Sequence, residues 1–141
     1  MPDLTLPDGT PIHARGLRHG TPCVPAPEFG LYLGTSRLRR RHAASLPWPQ
    51  TWIPWPDFLL PLDRAAAITA IRSTHTRAQT GSRVEIACNG GVGRTGTVIA
   101  CLAILAGLSP TEAIPWTRSH YHPHAIETPW QRRWVLRFPA R

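Results

Sequence analysis

Val84-Glu85-Ile86-Ala87-Cys88-Asn89-Gly90-Gly91-Val92-Gly93-Arg94-Thr95-Gly96 changes character twice along its length. Val84 to Cys88 is short, β-branched and largely apolar, which predicts a strand. Asn-Gly-Gly-Val-Gly predicts a flexible turn, and the apolar run from Thr95 to Ala106 predicts a helix. A strand, a glycine loop and a helix in that order present backbone amides to an anion.

The spacing inside the stretch carries chemistry. Fully extended, the six steps from Cys88 to Arg94 would span roughly 20 Å, so the chain must curl if both side chains are to reach one ligand. Gly90, Gly91 and Gly93 can take positive φ and leave room for N–H groups to turn inward, which makes a phosphate-sized cradle. The partial positive charge of a helix beginning at Thr95 and the full charge of Arg94 both favour thiolate over thiol at Cys88. The competing reading of Cys88 is an inert strand cysteine, but glycines at three of the next five positions make little sense for core packing.

Upstream, Pro47 to Pro61 reads Pro-Trp-Pro-Gln-Thr-Trp-Ile-Pro-Trp-Pro-Asp-Phe-Leu-Leu-Pro. It is too proline-rich for a helix or a central strand and predicts a loop with large aromatic anchors. Asp63 is a plausible N-cap for a helix through Gln79, with Ile68 and Ile71 on one side and Gly81 as the stop. Downstream, Ser109-Pro110-Thr111-Glu112 has the spacing of a capping box, so a helix begins there, kinked or shortened by Pro115. Thr128-Pro129-Trp130-Gln131 repeats the start signal, and Trp130, Trp134, Val135 and Phe138 form an apolar stripe. The stretch before Gln50 is punctuated by proline and glycine. It shows one short apolar run, Phe29 to Leu33, readable as a strand, and a basic run, Arg37 to His42, readable as a solvated helix face or loop.

Size and composition set the outer bounds. A chain of 141 residues suits one domain, taken as residues 1–141. The polar start from Met1 to Thr10 lacks the pattern of a signal peptide, and the longest apolar run, Val98 to Leu108, is about half the length of a membrane span. The expectation is a folded, soluble, cytoplasmic protein with no membrane span. The net charge is +8 and all 16 basic residues are Arg, the side chain whose planar fork grips phosphate, so an anionic partner is expected.

Three features together now carry a resemblance. Cys88, five residues, Arg94 and Thr95 resemble the signature loop of the protein tyrosine phosphatase superfamily. Trp55-Pro56-Asp57, followed by Phe58 and Pro61, resembles that family's mobile Trp-Pro-Asp loop. Ala125-Ile126-Glu127-Thr128-Pro129-Trp130-Gln131 is similar to its downstream segment that positions the hydrolytic water. The motifs run in the family's order, and the likeness is to the compact, dual-specificity-like branch. The expected fold is α/β: a short, mostly parallel sheet with Val84 to Ala87 central and helices on both sides.

The resemblance implies hydrolysis of phosphate monoesters, protein phosphotyrosine first, through a phosphocysteine intermediate and without a cofactor. Cys88 would attack phosphorus while Arg94 and the amides of Asn89, Gly90, Gly91, Val92, Gly93 and Arg94 hold the equatorial oxygens. Asp57 would protonate the leaving oxygen and then act as base on water; its plain alternative is a turn residue after Pro56. Thr95 either donates its hydroxyl to the Cys88 sulfur or caps its helix, or both. Gln131 either positions water or completes a capping box with Thr128.

Two positions depart from the family pattern. Ala87 stands where the family has histidine, leaving activation of Cys88 to amides, helix and Arg94. Glu127 stands where the large tyrosine-specific members have Gln, and a carboxylate beside a phosphate is repulsive, so no catalytic role is assigned to it. His120, His122 and His124 alternate but lack further ligands, so they read as surface histidines, with no metal site. Cys101 reads as core and Cys23 as a loop residue. A phosphorylated protein or small phosphoester is the expected partner, with acidic surfaces drawn to the arginines. A non-catalytic phosphoprotein reader and a nucleic-acid binder are alternatives; the latter is not favoured, because the tryptophans cluster where packing explains them.

Overall fold

The computed structural model describes residues 3–18 and 24–140, so Cys23 lies outside the described residues. Strands β1 (Asp3–Thr5), β2 (Pro11–Gly16) and β3 (Phe29–Gly34) precede the short helix α1 (Ser36–His42) and a 3₁₀ turn. Then follow β4 (Gln50–Pro54), α2 (Arg64–Gln79), β5 (Val84–Cys88), α3 (Gly93–Leu105), α4 (Pro110–His120) and α5 (Pro129–Leu136). The sheet order is β1-β2-β5-β3-β4. The β1–β2 pair is antiparallel; the β2–β5, β5–β3 and β3–β4 pairs are parallel, with β5 central.

The period-2 alternation of the strands separates two faces. Ile12, Ala14, Leu31, Leu33, Ile53, Ile86 and Cys88 point into the main core, where α2, α3, α4 and α5 bury their apolar sides. The opposite face holds a smaller cluster of Leu17, Tyr32, Leu46 and Ala87, covered by Leu38 of α1 and by Trp48 and Trp52. Helices thus lie on both sides, as expected, but four pack on one side and one short helix on the other.

Glu85, in the middle of the central strand, is fully buried on that second face. Arg15 meets it through Nε at 2.6 Å and a second guanidinium nitrogen at 3.2 Å, and the Tyr32 hydroxyl donates at 2.7 Å. Trp48 Nε1 donates in turn to the Tyr32 oxygen at 2.6 Å. A carboxylate in an apolar strand is tolerated because every oxygen finds a donor. Burial and the neighbouring Glu85 charge push the Tyr32 phenol well above its ordinary pKa.

The helices follow their local signals. The Asp63 side chain accepts from Ala66 N at 3.0 Å, and α2 buries Ala67, Ile68, Ile71, Thr74, His75 and Ala78, spaced along one face. The Ser109–Glu112 capping box forms in both directions. Helix α4 runs past Pro115 to His120 instead of stopping there; Pro115 and Thr111 face solvent, where water can serve the carbonyl that proline leaves unpaired. Arg37 to His42 lies on α1, which buries no residue.

Three expectations are corrected, and two strands are added to them. Gln50–Pro54 is a strand, not a loop: it lies at the sheet edge, where proline costs no ladder bond on its open side. Strands β1 and β2 had no readable signal. Helix α3 begins at Gly93, two residues before Thr95, which puts Arg94 inside its first turn. Trp130 does not join the buried stripe of Trp134, Val135 and Phe138; it is exposed, and its indole N–H reaches across to the Phe58 carbonyl at 2.5 Å. Among the described residues, no helix is long and apolar enough to cross a membrane.

Candidate active site

Cys88 ends the central strand, in register with Gly16 of β2. The ladder continues past the strand end, Leu17 N donating to Cys88 O at 2.9 Å and Arg18 N to Asn89 O at 3.2 Å. The loop that follows folds back against this edge. A Cβ on Gly91, whose φ is +76°, would lie 2.5 Å from Gly16 N, and one on Gly16 would lie 2.7 Å from the Gly90 carbonyl carbon. Backbone packs on backbone here, which only glycine allows. Of the three loop glycines expected to supply positive φ, Gly91 alone does so. Gly93 is packed differently, since a Cβ there would lie 2.0 Å from the Glu127 carboxylate, which would have to swing aside.

The curled loop brings Gly91 N within 3.1 Å of the Cys88 sulfur, a donor aimed at the thiol. No side chain caps the start of α3, so the helix end is open to an anion. Arg94 is buried to 4 % exposure. One of its terminal nitrogens donates to Trp55 O at 2.8 Å, and its Nε lies 3.5 Å from Asp57 Oδ1. Arg94 therefore joins the Cys88 loop to the Asp57 loop. The Thr95 hydroxyl is buried and has no hydrogen-bond partner among the described residues.

Asp57 stands at the surface end of a loop anchored from below. Trp55 is fully buried, its ring 5.8 Å from that of Trp134 and its Nε1 donating to Leu59 O at 2.8 Å. Phe58 takes a φ of +63°, and the Asp57 carboxylate accepts from Phe58 N at 3.0 Å. Gln131 is fully buried and does not line the cleft. Its Nε2 donates to Leu59 O at 3.2 Å and its Oε1 accepts from Glu127 N at 3.0 Å, while Thr128 caps Gln131 N at 3.1 Å. The capping box is thus half formed, and its return bond goes to Glu127.

Cys88, residues 89–94 and Asp57 line a single cleft of about 710 Å³. Sequence reasoning did not assign a site role to several other side chains found there. Arg15 and Arg18 come from the end of β2, Phe58 from the Asp57 loop, and Tyr121 and His122 from the end of α4. The Tyr121 hydroxyl donates to the Gly91 carbonyl. No local signal could have identified these residues, because only the packing of β2 and α4 around the loop brings them in.

Glu127 also lines the cleft. Desolvation and the nearby Asp57 charge raise its pKa above the usual carboxylate value, while Arg94, His122 and His124 pull the other way. His122 Nδ1 accepts from His124 N at 3.0 Å, and His120 stacks on Trp116 at 4.6 Å. Cys101 is buried in α3, where desolvation pushes its thiol up.

Residues 48–134 match the family described as Swiss Army Knife protein, DSP-PTPase phosphatase domain (PTP-SAK). A protein of Invertebrate iridescent virus 3 named Putative tyrosine phosphatase 067L is 36% identical over 59 residues, which are 40% of this chain and 25% of that protein. The chain therefore spans about a quarter of the length of that curated relative. Among solved structures, Tk-PTP in its active form is 27% identical with a TM-score of 0.65, the match covering 78% of this chain and 76% of that one. Kinase associated phosphatase, solved with its catalytic-site cysteine replaced by serine, superposes with a TM-score of 0.63 at 21% identity, over 75% of this chain and 65% of the other. The second likeness is one of fold.

Proposed function

This chain belongs to the dual-specificity-like branch of the protein tyrosine phosphatase superfamily, and from that premise we propose that it hydrolyses phosphate monoesters, protein phosphotyrosine foremost, through a phosphocysteine intermediate. The observation that carries the reading is the meeting of Arg94 and Asp57, 3.5 Å apart, in the cleft that Cys88 also lines. A cation for the phosphoryl oxygens, a carboxyl group for the leaving oxygen and a sulfur nucleophile face one space.

The Cys88 thiolate attacks phosphorus, forming the S–P bond as the P–O bond to the alcohol breaks. Arg94 and the amides of residues 89–94 carry the charge that spreads over the equatorial oxygens. Asp57, protonated at the start, gives its proton to the departing oxygen. It then takes one from water as water attacks phosphorus and the sulfur leaves. The Thr95 hydroxyl, without a partner among the described residues, donates to that leaving thiolate. Gln131, with both amide atoms engaged, serves by holding the Asp57 loop against the segment of Glu127.

The chain works on this reading as one catalytic domain in the cytoplasm, where a thiolate nucleophile stays reduced. The exposed arginines of α1 favour phosphoprotein substrates with acidic flanks. The test is turnover of para-nitrophenyl phosphate and of a phosphotyrosine peptide by the purified protein. Wild type is expected to turn over both, and Cys88→Ser to lose at least about 10³-fold. Phosphate binding without turnover in the wild type would overturn the reading in favour of a phosphoprotein-binding module.

A further inference from the structure

Ala87, immediately before the thiol, has no polar side-chain atom and packs in the apolar cluster on the far face of the sheet. The Cys88 loop must therefore be held from elsewhere. Gly91 is gripped on both sides: the Gly16 backbone presses against one side of it, and the Tyr121 hydroxyl donates to its carbonyl. The N–H of the same residue meets the Cys88 sulfur at 3.1 Å. Because a peptide unit is planar and trans, fixing the Gly91 carbonyl also fixes the N–H of Val92, which points the opposite way. That hydroxyl thus sets the Gly91–Val92 peptide directly, while the Gly91 N–H, one peptide back, is held because the same residue is pinned between Tyr121 and the Gly16 backbone, where glycine would otherwise allow many conformations.

We propose that Tyr121 is a positioning residue: by holding the Gly91 carbonyl, its hydroxyl aims the amide that stabilises the Cys88 thiolate. The proposal rests on the reading of Cys88 as nucleophile and adds the source of its activation. Tyr121 is well suited to the task. Its own N–H bonds to Thr117 O at 2.8 Å at the end of α4, which seats it on the helix. Burial and the facing Cys88 raise its phenol pKa, so it remains a donor across the working range of pH.

Other charged or titratable groups line the same cleft as the thiol: Arg94 from α3, Asp57 from its loop, Glu127 from the segment before α5, His122 from the end of α4, and Arg15, Arg18 and His13 from β2 and its end. Tyr121→Phe leaves all of them in place, so a difference between variant and wild type reports the hydroxyl.

The experiment is the pH dependence of Cys88 alkylation by iodoacetamide in a Cys23→Ser background, with the pH profile of kcat/KM on an aryl phosphate run in parallel. Tyr121→Phe is expected to move the alkylation midpoint upward by about half to one pH unit, the worth of one hydrogen bond to the loop. The acid limb of kcat/KM moves with it, and the melting temperature stays within a few degrees. An unchanged midpoint overturns the proposal, whatever happens to turnover. If Tyr121→Phe does not fold, 3-fluorotyrosine at position 121 supplies a stronger donor of nearly the same shape. It is expected to move the midpoint downward, and an unmoved midpoint again overturns the role. A wild type that alkylates at low pH but turns over no phosphoester overturns the proposed activity alone and leaves Tyr121 testable.

Discussion

Two loops meet at Arg94, and they are built by opposite means. The Cys88 loop is held chiefly through its backbone: Gly91 packs on Gly16, Gly16 on Gly90, and the β2 ladder runs on to Asn89. The Asp57 loop is held by side chains: Trp55 under it, and Trp130 and Gln131 reaching from α5 to its carbonyls. Backbone contact tolerates little change of shape, whereas a few side-chain hydrogen bonds can break and re-form at small cost. The difference suits the tasks proposed for them, a rigid cradle for the anion and a carboxyl group able to approach and withdraw. Phe58, Leu59 and Leu62, all on the Asp57 loop, are exposed, while Cys88, Arg94 and Thr95 are buried.

The contrast can be broken most severely at Gly91. Gly91→Ala would force a side chain into positive φ and to within 2.5 Å of Gly16 N, so the cradle must open. The expected loss of kcat/KM on an aryl phosphate is about 10³-fold, comparable with removing preorganised oxyanion donors. A variant within tenfold of wild type would show that the loop is less rigid than its packing implies.

A smaller effect is expected at the other loop. Trp130→Phe removes the donor to Phe58 O while keeping an aromatic ring, so kcat is expected to fall about fivefold with little change in melting temperature, as for one modest hydrogen bond. A loss as large as that of Gly91→Ala would erase the distinction between a loop held by backbone packing and one held by side-chain hydrogen bonds.

The smallest effect belongs to the carboxylate between the loops. The pKa of Glu127 is raised, so it holds its proton to a higher pH than an ordinary glutamate. As pH rises through that value the cleft gains a negative charge beside Asp57, and phosphate binding weakens. Glu127→Gln is therefore expected to lower KM for aryl phosphate about two- to threefold near neutrality, the scale of a partly screened charge. The two KM values are expected to converge in acid, where wild-type Glu127 is also neutral. A KM difference that persists at low pH would assign Glu127 a steric role against Gly93 instead.

The same contrast separates what could be read along the chain from what could not. The Cys88 loop was legible because strand, glycines and helix are adjacent, and each advertises itself by composition. The α2 and α4 caps were legible for the same reason. The β4 edge strand was not, because its prolines argue against a strand unless its place at the sheet edge is known. Glu85 gave no sign of its partners, since Arg15 and Tyr32 come from strands far away in the chain. Tyr121 looked like one more residue at the end of a helix.

The sequence by itself determined the strand-loop-helix unit, the helix caps and the candidates Cys88, Arg94 and Thr95, because propensity, capping and glycine freedom act over a few residues; Asp57 became a candidate mainly through its resemblance to a family motif. Only the tertiary structure decided that Arg94 joins the two loops, that Gln131 braces the Asp57 loop from outside the cleft, that Tyr121 holds the Gly91 carbonyl and that Glu127 lines the cleft. Those relations depend on packing between segments many residues apart, and local pattern does not encode the distances that packing sets.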